Sequence, residues 1–268
     1  MRIVSWNMGY WGHASAHEAA WRWLLEELAP DIALLQECVV PSWVQSRATV
    51  LFDEAYPKSR NQRWGTALVT RDLTTVPARL EEIETWLSTL GEHAPDVCSA
   101  ARLQGWCVPG HVSLPDGSSA LFISIHNPAF PIERSLVEDH DLTRIKLELN
   151  PDVWLLDVVF HFLEHRLSEP LLIGGDFNCS RLLDEPVPRG NAEFFDRLPD
   201  DGFVSLHRRF HDADEQTFFH PKRREHQLDY LYTDTTLAER ATHCRVVPKH
   251  VVEPYSDHAP IVAELALS

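Results

Sequence analysis

The sequence lacks any apolar run long enough to cross a bilayer, and its amino terminus lacks the pattern of a secretory signal. No stretch reaches the roughly 18 consecutive apolar residues that indicate a membrane-spanning helix. The first residues, MRIVSWNMGY, enter a strand-like pattern without an apolar signal core or a small-residue cleavage site. We therefore expect neither a membrane span nor an export signal.

Cysteine is scarce and is not arranged for structural chemistry. The chain has five cysteines, which is an odd number, and it contains no C-x-x-C pair. This usage predicts neither a disulfide framework nor a cysteine-based zinc site. The simplest interpretation is a cytoplasmic protein with reduced thiols.

Basic residues are outnumbered by acidic ones. The chain has 24 lysines and arginines against 40 aspartates and glutamates, and its formal net charge is −16. A uniformly acidic surface repels nucleic acid at long range, which argues against tight, extended binding to duplexes. A phosphate substrate remains compatible with this charge, because a bound divalent cation and a local basic patch can reverse its sign at one site.

The length and the apolar content fit one large α/β domain over residues 1–268. The chain is 44% hydrophobic and contains no repeat, low-complexity tract or linker. A proline, an aspartate and a glycine at 115–117 predict a hairpin turn, and residues 79–90 could form a helix or an irregular strand. Periodicity predicts strands at 2–6, 32–35, 66–70, 121–125, 171–175, 228–232, 244–247 and 260–266, and helices at 16–28, 139–168 (interrupted at 150–151) and 191–197.

Polar residues stand at the ends of these strands. The stretch LLIGGDFNCS is typical, because an apolar strand runs into Asp176 and then Asn178. Taken singly, each such residue has a structural explanation, such as a cap, an Asx-turn or a hydrogen-bonded histidine. Together they indicate a site, because α/β folds commonly place sites at strand ends. The set comprises Asn7, Glu37, His126, Asp176, Asn178, Asp229, Asp257 and His258.

The order of these residues resembles the endonuclease/exonuclease/phosphatase superfamily, the deoxyribonuclease I-like proteins. The matching stretches are SWNMG, LLQE, ISIHN, GGDFN, QLDYLY and SDHAP, which span residues 5–260. One stretch alone arises easily by chance, whereas six in the correct order form a specific signal. The resemblance implies a four-layer α/β/β/α sandwich, in which two packed mixed β-sheets are flanked by helices. It also implies a hydrolase of phosphate esters that depends on Mg²⁺ or Mn²⁺.

The resemblance also implies a role for each residue of the set. Glu37 is expected as the main metal ligand, with Asn7 as a ligand or phosphate donor beside it and Asp257 as a second ligand or an outer acid. These assignments agree with the preference of hard divalent cations for oxygen ligands.

The catalytic roles fall on the other five residues. Asp176 is expected to orient or deprotonate the attacking water, and Asn178 to fix that water or a phosphate oxygen. His126 is expected to donate to a non-bridging oxygen, while Asp229 pairs with His258 and favours its protonated form. Whether Asp176 or His258 is the base stays open at this stage.

Basic and aromatic residues could add substrate contacts. Arg181 and Arg223 are candidates for substrate phosphate, although solvated surface charge explains such residues equally well. Four tryptophans could stack on bases if they are exposed, and core packing is the competing explanation. These tryptophans are Trp11, Trp43, Trp64 and Trp106.

Two features depart from a simple match. The first site histidine is followed by Asn127-Pro128, whereas many members of the superfamily carry leucine there. The stretch His161-Phe162-Leu163-Glu164-His165 also matches H-x-x-E-H, an inverted zinc-peptidase pattern. In a chain with 15 histidines this second match arises easily by chance.

The predicted activity is therefore a metal-dependent phosphodiesterase of endonuclease or exonuclease type, with nucleic acid as a substrate that is not tightly bound. The alternative is a phosphatase or diesterase for a small or lipid phosphate, such as an inositol phosphate or sphingomyelin. The net charge favours a small substrate, whereas the basic segment 222–224 favours a polyanion. A non-catalytic scaffold is disfavoured, because every expected acid and histidine is present.

Overall fold

Two six-stranded sheets form the centre of the computed structural model, which describes residues 1–55, 64–90, 100–143, 145–150, 152–185, 189–219 and 226–266. The first sheet consists of β1 (Arg2–Asn7), β2 (Ile32–Cys38), β3 (Thr49–Glu54), β4 (Gly65–Thr70), β11 (Ala241–Val246) and β12 (Ile261–Leu265). The second consists of β5 (Thr75–Pro77), β6 (Cys107–Ser113), β7 (Ser119–His126), β8 (Leu171–Asp176), β9 (Val204–Ser205) and β10 (Asp229–Thr233). The strand orders are β11-β12-β1-β2-β4-β3 and β5-β6-β7-β8-β10-β9.

Helices cover the outer faces of the sheets. The longer ones are α2 (His17–Trp23), α3 (Glu81–Thr89), α5 (Leu155–Leu163), α6 (Asn191–Asp200) and α7 (Thr235–Arg240). Short turns of helix are α1 (Tyr10–His13), α4 (Arg134–Val137) and α8 (Lys249–Val252), and α2 continues as a π-helix over Leu24–Leu28. None of the described helices is long and apolar enough to cross a membrane.

Strand alternation divides the apolar residues between two cores. On β7, Phe122 belongs to the core that the two sheets share, while Leu121 and Ile123 belong to the core under the helices. On β8, Leu172 faces the shared core and Ile173 the helical side. Successive side chains of a strand point to opposite faces, so a continuous apolar run serves both cores. The four-layer α/β/β/α sandwich predicted from the sequence is confirmed.

The largest error in the predicted secondary structure lies at 139–168. Among the described residues of this range, only Leu155–Leu163 forms an α-helix, and a short 3₁₀ turn at Glu164–Arg166 follows it. Asp141 accepts hydrogen bonds from the amide and hydroxyl of Thr143, and Asn150 accepts one from the Asp152 amide. Such local side-chain bonds compete with the helical ladder, and Pro151 itself lies outside the described residues.

Other elements were predicted correctly or left open. The hairpin is confirmed, because β6 and β7 pair antiparallel around the predicted turn, where Gly117 takes a φ of 83°. Residues 79–90, which the sequence left open between a helix and an irregular strand, contain the helix α3, Glu81–Thr89. Strand β3 was not predicted; it is an edge strand that pairs only with β4, and its side chains are largely half-exposed.

The two glycines before Asp176 allow close packing at β8. A Cβ on Gly174 would lie 2.4 Å from Leu231 Cδ2 and 2.9 Å from Leu34 Cδ1, which belong to opposite sheets. A Cβ on Gly175 would lie 1.6 Å from the carbonyl oxygen of Ile125 on the neighbouring strand. No side chain fits at either position without movement of the surrounding core.

We expect Gly175→Ala to destabilise the protein by about 3 kcal/mol or more, because a backbone carbonyl must move to admit the methyl group. Urea unfolding measures this change as a fall in the transition midpoint. Gly12→Ala is the matched control, since a Cβ there meets no atom within 4 Å. Equal midpoints for Gly175→Ala and the wild type would show that the strands are not packed this closely.

Candidate active site

The topology brings the predicted site residues to one edge of the sandwich. In the first sheet β1 and β2 run parallel, so Asn7 and Glu37 lie at the same end. In the second sheet β7 and β8 run parallel, and His126 pairs in register with Asp176. Strand β10 runs antiparallel to β8, which sets Asp229 opposite Asp176.

A groove of about 360 Å³ opens at this edge. Strand β12 runs antiparallel to β1, so the residues that precede it reach the same edge. Six of the eight predicted residues line the groove, and Asn7 and Asp229 lie buried beneath it. The six are Glu37, His126, Asp176, Asn178, Asp257 and His258.

Asp229 and His258 form a buried ion pair. Nδ1 of His258 lies 2.9 Å from Oδ2 of Asp229, and both side chains are almost fully buried. Burial acts to lower the pKa of His258, but the carboxylates of Asp229 and Asp176 outweigh it and raise this pKa to about 10. His258 is therefore an imidazolium at neutral pH, as the predicted pairing requires.

The backbone around His258 is held from two sides. The indole Nε1 of Trp6 donates to the His258 carbonyl at 2.9 Å. Ser256 Oγ accepts from the His258 amide at 3.0 Å and donates to the Asn7 carbonyl at 2.8 Å. These bonds fasten the segment before β12 to the end of β1, so the two ends of the chain share one side of the site.

Asp176 occupies the centre of the site. Its Oδ2 accepts a hydrogen bond from Asn7 Nδ2 at 2.9 Å and lies 3.8 Å from His126 Nε2 and 3.9 Å from His258 Nε2. Its Oδ1 accepts from the Asn178 amide at 2.9 Å. Burial raises the pKa of Asp176, the His258 charge opposes that rise, and the Asp229 charge adds to it. A buried carboxylate next to open groove volume is a suitable proton acceptor.

Glu37 faces the groove because strand β2 is irregular at this residue. The pairing of β2 with β4 shifts register between Leu35 and Cys38, and Glu37 has a φ of 46°. Such a bulge re-aims a side chain, and strained backbone of this kind clusters at functional sites. Burial raises the pKa of Glu37 to about 7, with the nearby charge of His258 opposing and that of Asp176 adding.

His126 is neutral at neutral pH, whereas His258 is protonated. Burial lowers its pKa to about 4, which the Asp176 carboxylate only partly offsets. The rings of Trp64 and Trp106 pack against it, with centroids 5.6 Å and 5.3 Å away. The two histidines of the groove therefore have widely different pKa values. Such a difference suits them to different roles in proton transfer and charge stabilisation.

Asn178 is positioned by a local turn rather than by continuation of the strand. Its amide bonds to the Asp176 side chain, as in an Asx-turn, and its φ is 48°. Its Nδ2 donates to the Asn127 carbonyl at 2.8 Å. Asn127 itself is buried, donates to the Phe177 carbonyl and accepts from the Leu156 amide. The unusual Asn127 after the first site histidine therefore connects the site to helix α5.

The donor set of the groove fits a hard divalent cation. Three carboxylates line it, those of Glu37, Asp176 and Asp257, and no lysine or arginine does so among the described residues. Asn7 donates its Nδ2 to the Asp176 carboxylate at 2.9 Å, and its amide also acts to lower the pKa of Glu37, so it stands between these two acids. Magnesium keeps several waters and needs only one or two carboxylates from the protein.

A second group of potential ligands lies deeper. Asp176, Asp229 and His258 offer one ligand atom each, all within 4.8 Å of one another. A metal-bound imidazole must have lost its proton at the ligating nitrogen, and with no cation present the carboxylates of Asp229 and Asp176 favour the protonated form of His258. With His258 protonated, the carboxylates of Asp176 and Asp229 are the candidate ligands that this group retains.

Other predicted contacts lie elsewhere. Arg181 does not line the groove; its Nη1 bonds to Asp196 Oδ1 at 2.6 Å and its guanidinium stacks on the Phe195 ring. The expectation that Arg181 holds substrate phosphate is therefore not supported by its position, because an acid of α6 draws the side chain away. Arg223 and the basic segment around it lie outside the described residues.

The four tryptophans divide between surface and core. Trp11 is 52% exposed at the groove, whereas Trp64 and Trp106 are buried in its wall. Trp43 is half-buried outside the groove, where the guanidinium groups of Arg22 and Arg47 lie over its ring.

The H-x-x-E-H stretch does not contribute to this groove. Its histidines lie on α5 and on the 3₁₀ turn that follows, and Glu164 Oε1 lies 3.6 Å from His161 Nδ1 and 3.4 Å from His165 Nε2. None of the three lines the groove that holds Asp176. The three side chains lie within 4.8 Å of one another and could hold a metal ion, but they do so away from the groove.

Two residues next to the Asp229–His258 ion pair were not predicted. Thr217 Oγ1 accepts hydrogen bonds from the amides of Leu228 and Asp229, and the Phe218 ring lies 4.8 Å from the His258 ring. Neither residue lies in one of the six matched sequence stretches. Their contacts depend on long-range pairing, for which a short motif gives no signal.

Comparisons with known proteins define the fold. No protein-family profile and no curated protein matches the sequence. Among solved structures, the chain is similar over its full length to an AP endonuclease from Leishmania major, with 16% identity, a TM-score of 0.65 and 88% of that chain covered. It also covers all of a 3′ phosphatase from Neisseria bound to product DNA hairpin, at 17% identity and a TM-score of 0.63.

The fold and the site together define an α/β sandwich with an acid–imidazole groove at the strand ends. A protein from Leptotrichia buccalis, described as of the endonuclease/exonuclease/phosphatase family, matches with 14% identity, a TM-score of 0.62 and full coverage of both chains. The chain has the fold of that superfamily, the deoxyribonuclease I-like sandwich, as the six sequence stretches predicted.

Proposed function

We propose that this protein is a divalent-metal-dependent phosphodiesterase of nuclease type. The observation that carries the proposal is the central position of Asp176 between a neutral and a charged histidine, 3.8 Å and 3.9 Å away. The similarity to an AP endonuclease and to a 3′ phosphatase that holds DNA supports the hydrolysis of phosphate esters. The substrate would be nucleic acid or a related phosphodiester.

In this proposal Asp176 accepts the proton of the attacking water, since its Oδ2 faces both imidazoles and the groove. His258 offers an Nε2–H on a cationic ring, while neutral His126 donates a hydrogen bond without adding charge. Nδ2 of Asn178 has a second hydrogen beyond the one given to Asn127, so it can donate to a phosphate oxygen.

Glu37, supported by Asn7 and Asp257, would hold Mg²⁺ or Mn²⁺. When bound, such a cation neutralises charge on the phosphate oxygens. The three carboxylates of the groove support this assignment, because their mutual repulsion falls when a cation binds between them.

We propose further that residues 1–268 act as one catalytic unit, since both sheets contribute side chains to the groove. We place the activity in the cytoplasm. The described cysteines, all of which are free, support a reducing compartment. They are Cys38, Cys107, Cys179 and Cys244.

We expect Glu37→Gln to raise the Mg²⁺ concentration for half-maximal activity at least about tenfold, because loss of even an outer-shell partner of a metal has that effect. Hydrolysis of a phosphodiester across a Mg²⁺ titration measures it, and Mn²⁺ calorimetry gives a second readout. Glu82→Gln, at an exposed position of α3, is the control. An unchanged Mg²⁺ requirement in Glu37→Gln would exclude this ligand.

A further inference from the structure

Four aromatic rings form a continuous wall along the groove. The ring centroids lie 6.0 Å apart for Trp11 and Trp64, 6.1 Å for Trp64 and Trp106, and 6.3 Å for Trp106 and Phe130. All four rings line the same groove as Asp176. The wall therefore lines the groove that also holds the atoms proposed to act on phosphorus, and its two inner rings contact His126.

The inner and outer rings of this wall differ in burial. Trp64 and Trp106 are 3% and 2% exposed and pack against His126, so their role is to hold that imidazole. Trp11 and Phe130 are 52% and 39% exposed. A single exposed aromatic residue needs no explanation, but two at the ends of one wall in one groove indicate a ligand surface.

The charge of the groove restricts what this surface can bind. Glu37, Asp176 and Asp257 supply negative charge, and no described lining residue supplies a lysine or arginine to offset it. The lining described here thus offers apolar ring faces rather than ion pairs to the part of a substrate next to the scissile phosphate. A nucleobase presents such a face without a charge, and stacking on aromatic side chains tolerates any base.

Pairing in a duplex hides the face of a base between its neighbours. A base that stacks on Trp11 or Phe130 must therefore be unpaired, as in a single strand, a frayed end or a dinucleotide. We propose that Trp11 and Phe130 form a stacking subsite for an unpaired nucleobase adjacent to the scissile phosphate. This inference rests on the proposed phosphodiesterase function and specifies its substrate class.

The test compares two diesters with the same leaving group, thymidine 5′-(p-nitrophenyl phosphate) and ethyl p-nitrophenyl phosphate, in the presence of Mg²⁺. Stacking contributes about 1–3 kcal/mol per base, so we expect the wild type to prefer the nucleoside ester in kcat/KM by about tenfold or more. Trp11→Ala and Phe130→Ala should each reduce that preference several-fold. Trp11→Phe should retain most of it, because a ring face remains.

Phe210→Ala is the matched control. Phe210 is 37% exposed, comparable to Phe130, but it does not line the groove and its ring neighbours His243 instead. Its removal should leave the preference for the nucleoside ester at the wild-type value. If Phe210→Ala lost as much of the preference for the nucleoside ester as Trp11→Ala does, the effect would reflect general destabilisation and the proposed subsite would be overturned.

A binding measurement separates this inference from the proposed function. Calorimetry with thymidine 5′-phosphate and ethyl phosphate needs no turnover, and we expect the nucleotide to bind more tightly and to lose that advantage in Trp11→Ala. Absence of hydrolysis of both esters would defeat the phosphodiesterase proposal, while the binding result still decides the subsite. Equal affinity for the two ligands would overturn the subsite.

Two further substrate comparisons test whether an unpaired base is the group that binds at Trp11 and Phe130. A single-stranded oligonucleotide should be cut faster than the same sequence in a duplex, and the reverse order would contradict an unpaired base. A preference for p-nitrophenylphosphorylcholine that Trp11→Ala removes would overturn the inference in favour of a quaternary ammonium, which aromatic faces also attract.

Discussion

Replacing Asp176 with asparagine should reduce hydrolysis of any phosphodiester substrate by about 10³-fold or more, the upper part of the range for removal of a general base. The substitution removes the acceptor for the water proton and keeps the shape of the side chain. An asparagine carbonyl can still accept the Asn178 amide, so the local turn should survive. The measurement is kcat at saturating Mg²⁺, accompanied by thermal unfolding to verify the fold.

Asp157→Asn provides a matched control for a buried aspartate. Asp157 is buried like Asp176 and burial raises its pKa to about 7, but it caps helix α5 and does not line the groove that holds Asp176. We expect this control to retain activity within about twofold of the wild type, the uncertainty set by any change in stability. If Asp176→Asn also keeps activity within that range, another group accepts the proton and the assignment of the base is wrong.

The positions of the site residues could be predicted from sequence because each one lies at or within a few residues of a strand end. Once strands pair parallel, their carboxyl ends must meet, and this places Asn7 near Glu37 and His126 near Asp176. The two glycines before Asp176 carried a second signal, since they mark a close approach of neighbouring backbone. Motif order and strand pattern were therefore sufficient for the fold and for the convergence of the site.

The geometry of individual side chains could not be predicted in this way. Glu37 faces the groove because of a register shift in β2, and Asn178 because of a local turn. Arg181 follows Asn178 closely in sequence, yet Asp196 on α6 draws it away. The position of each of these side chains depends either on a partner that is remote in sequence or on one backbone angle. Residue types and their spacing in the sequence give information on neither.

The charge states of the two site histidines also could not be predicted from the sequence. His126 and His258 both follow the superfamily pattern, yet the pKa of one is lowered to about 4 and that of the other is raised to about 10. Both rings are buried, so burial alone does not separate them. The difference is the carboxylate of Asp229, which lies 2.9 Å from His258 and opposes its desolvation.

Asp229→Asn should therefore convert His258 into a second neutral histidine. Without the Asp229 charge and hydrogen bond, burial lowers the pKa of His258 and only the carboxylates of Asp176 and Asp257 oppose it, so this pKa should fall well below 10. At about pH 8 we expect activity to drop by 10²- to 10⁴-fold, the range for loss of a positioned acid or base. Activity should recover partly as the pH is lowered, because protons restore the imidazolium.

The same ion pair makes stability depend on pH with a definite sign. The folded-state pKa of His258, about 10, lies above its ordinary value of 6.5. Its contribution to the free energy of unfolding is therefore complete below about pH 6.5 and is lost as the pH rises through about 10. Asp229→Asn should remove most of this dependence, which chemical unfolding at several pH values measures.

Asp234→Asn is the control for both pH experiments, because Asp234 is a buried aspartate that immediately follows β10, at the end opposite Asp229. It accepts the Leu171 amide and caps α7, and no histidine is among its hydrogen-bond partners in the described chain. A pH profile that shifts equally in both variants would mean that the shift reflects strand β10 rather than the charge beside His258. NMR titration of the His258 ring separates the two directly, since only Asp229→Asn should lower its pKa.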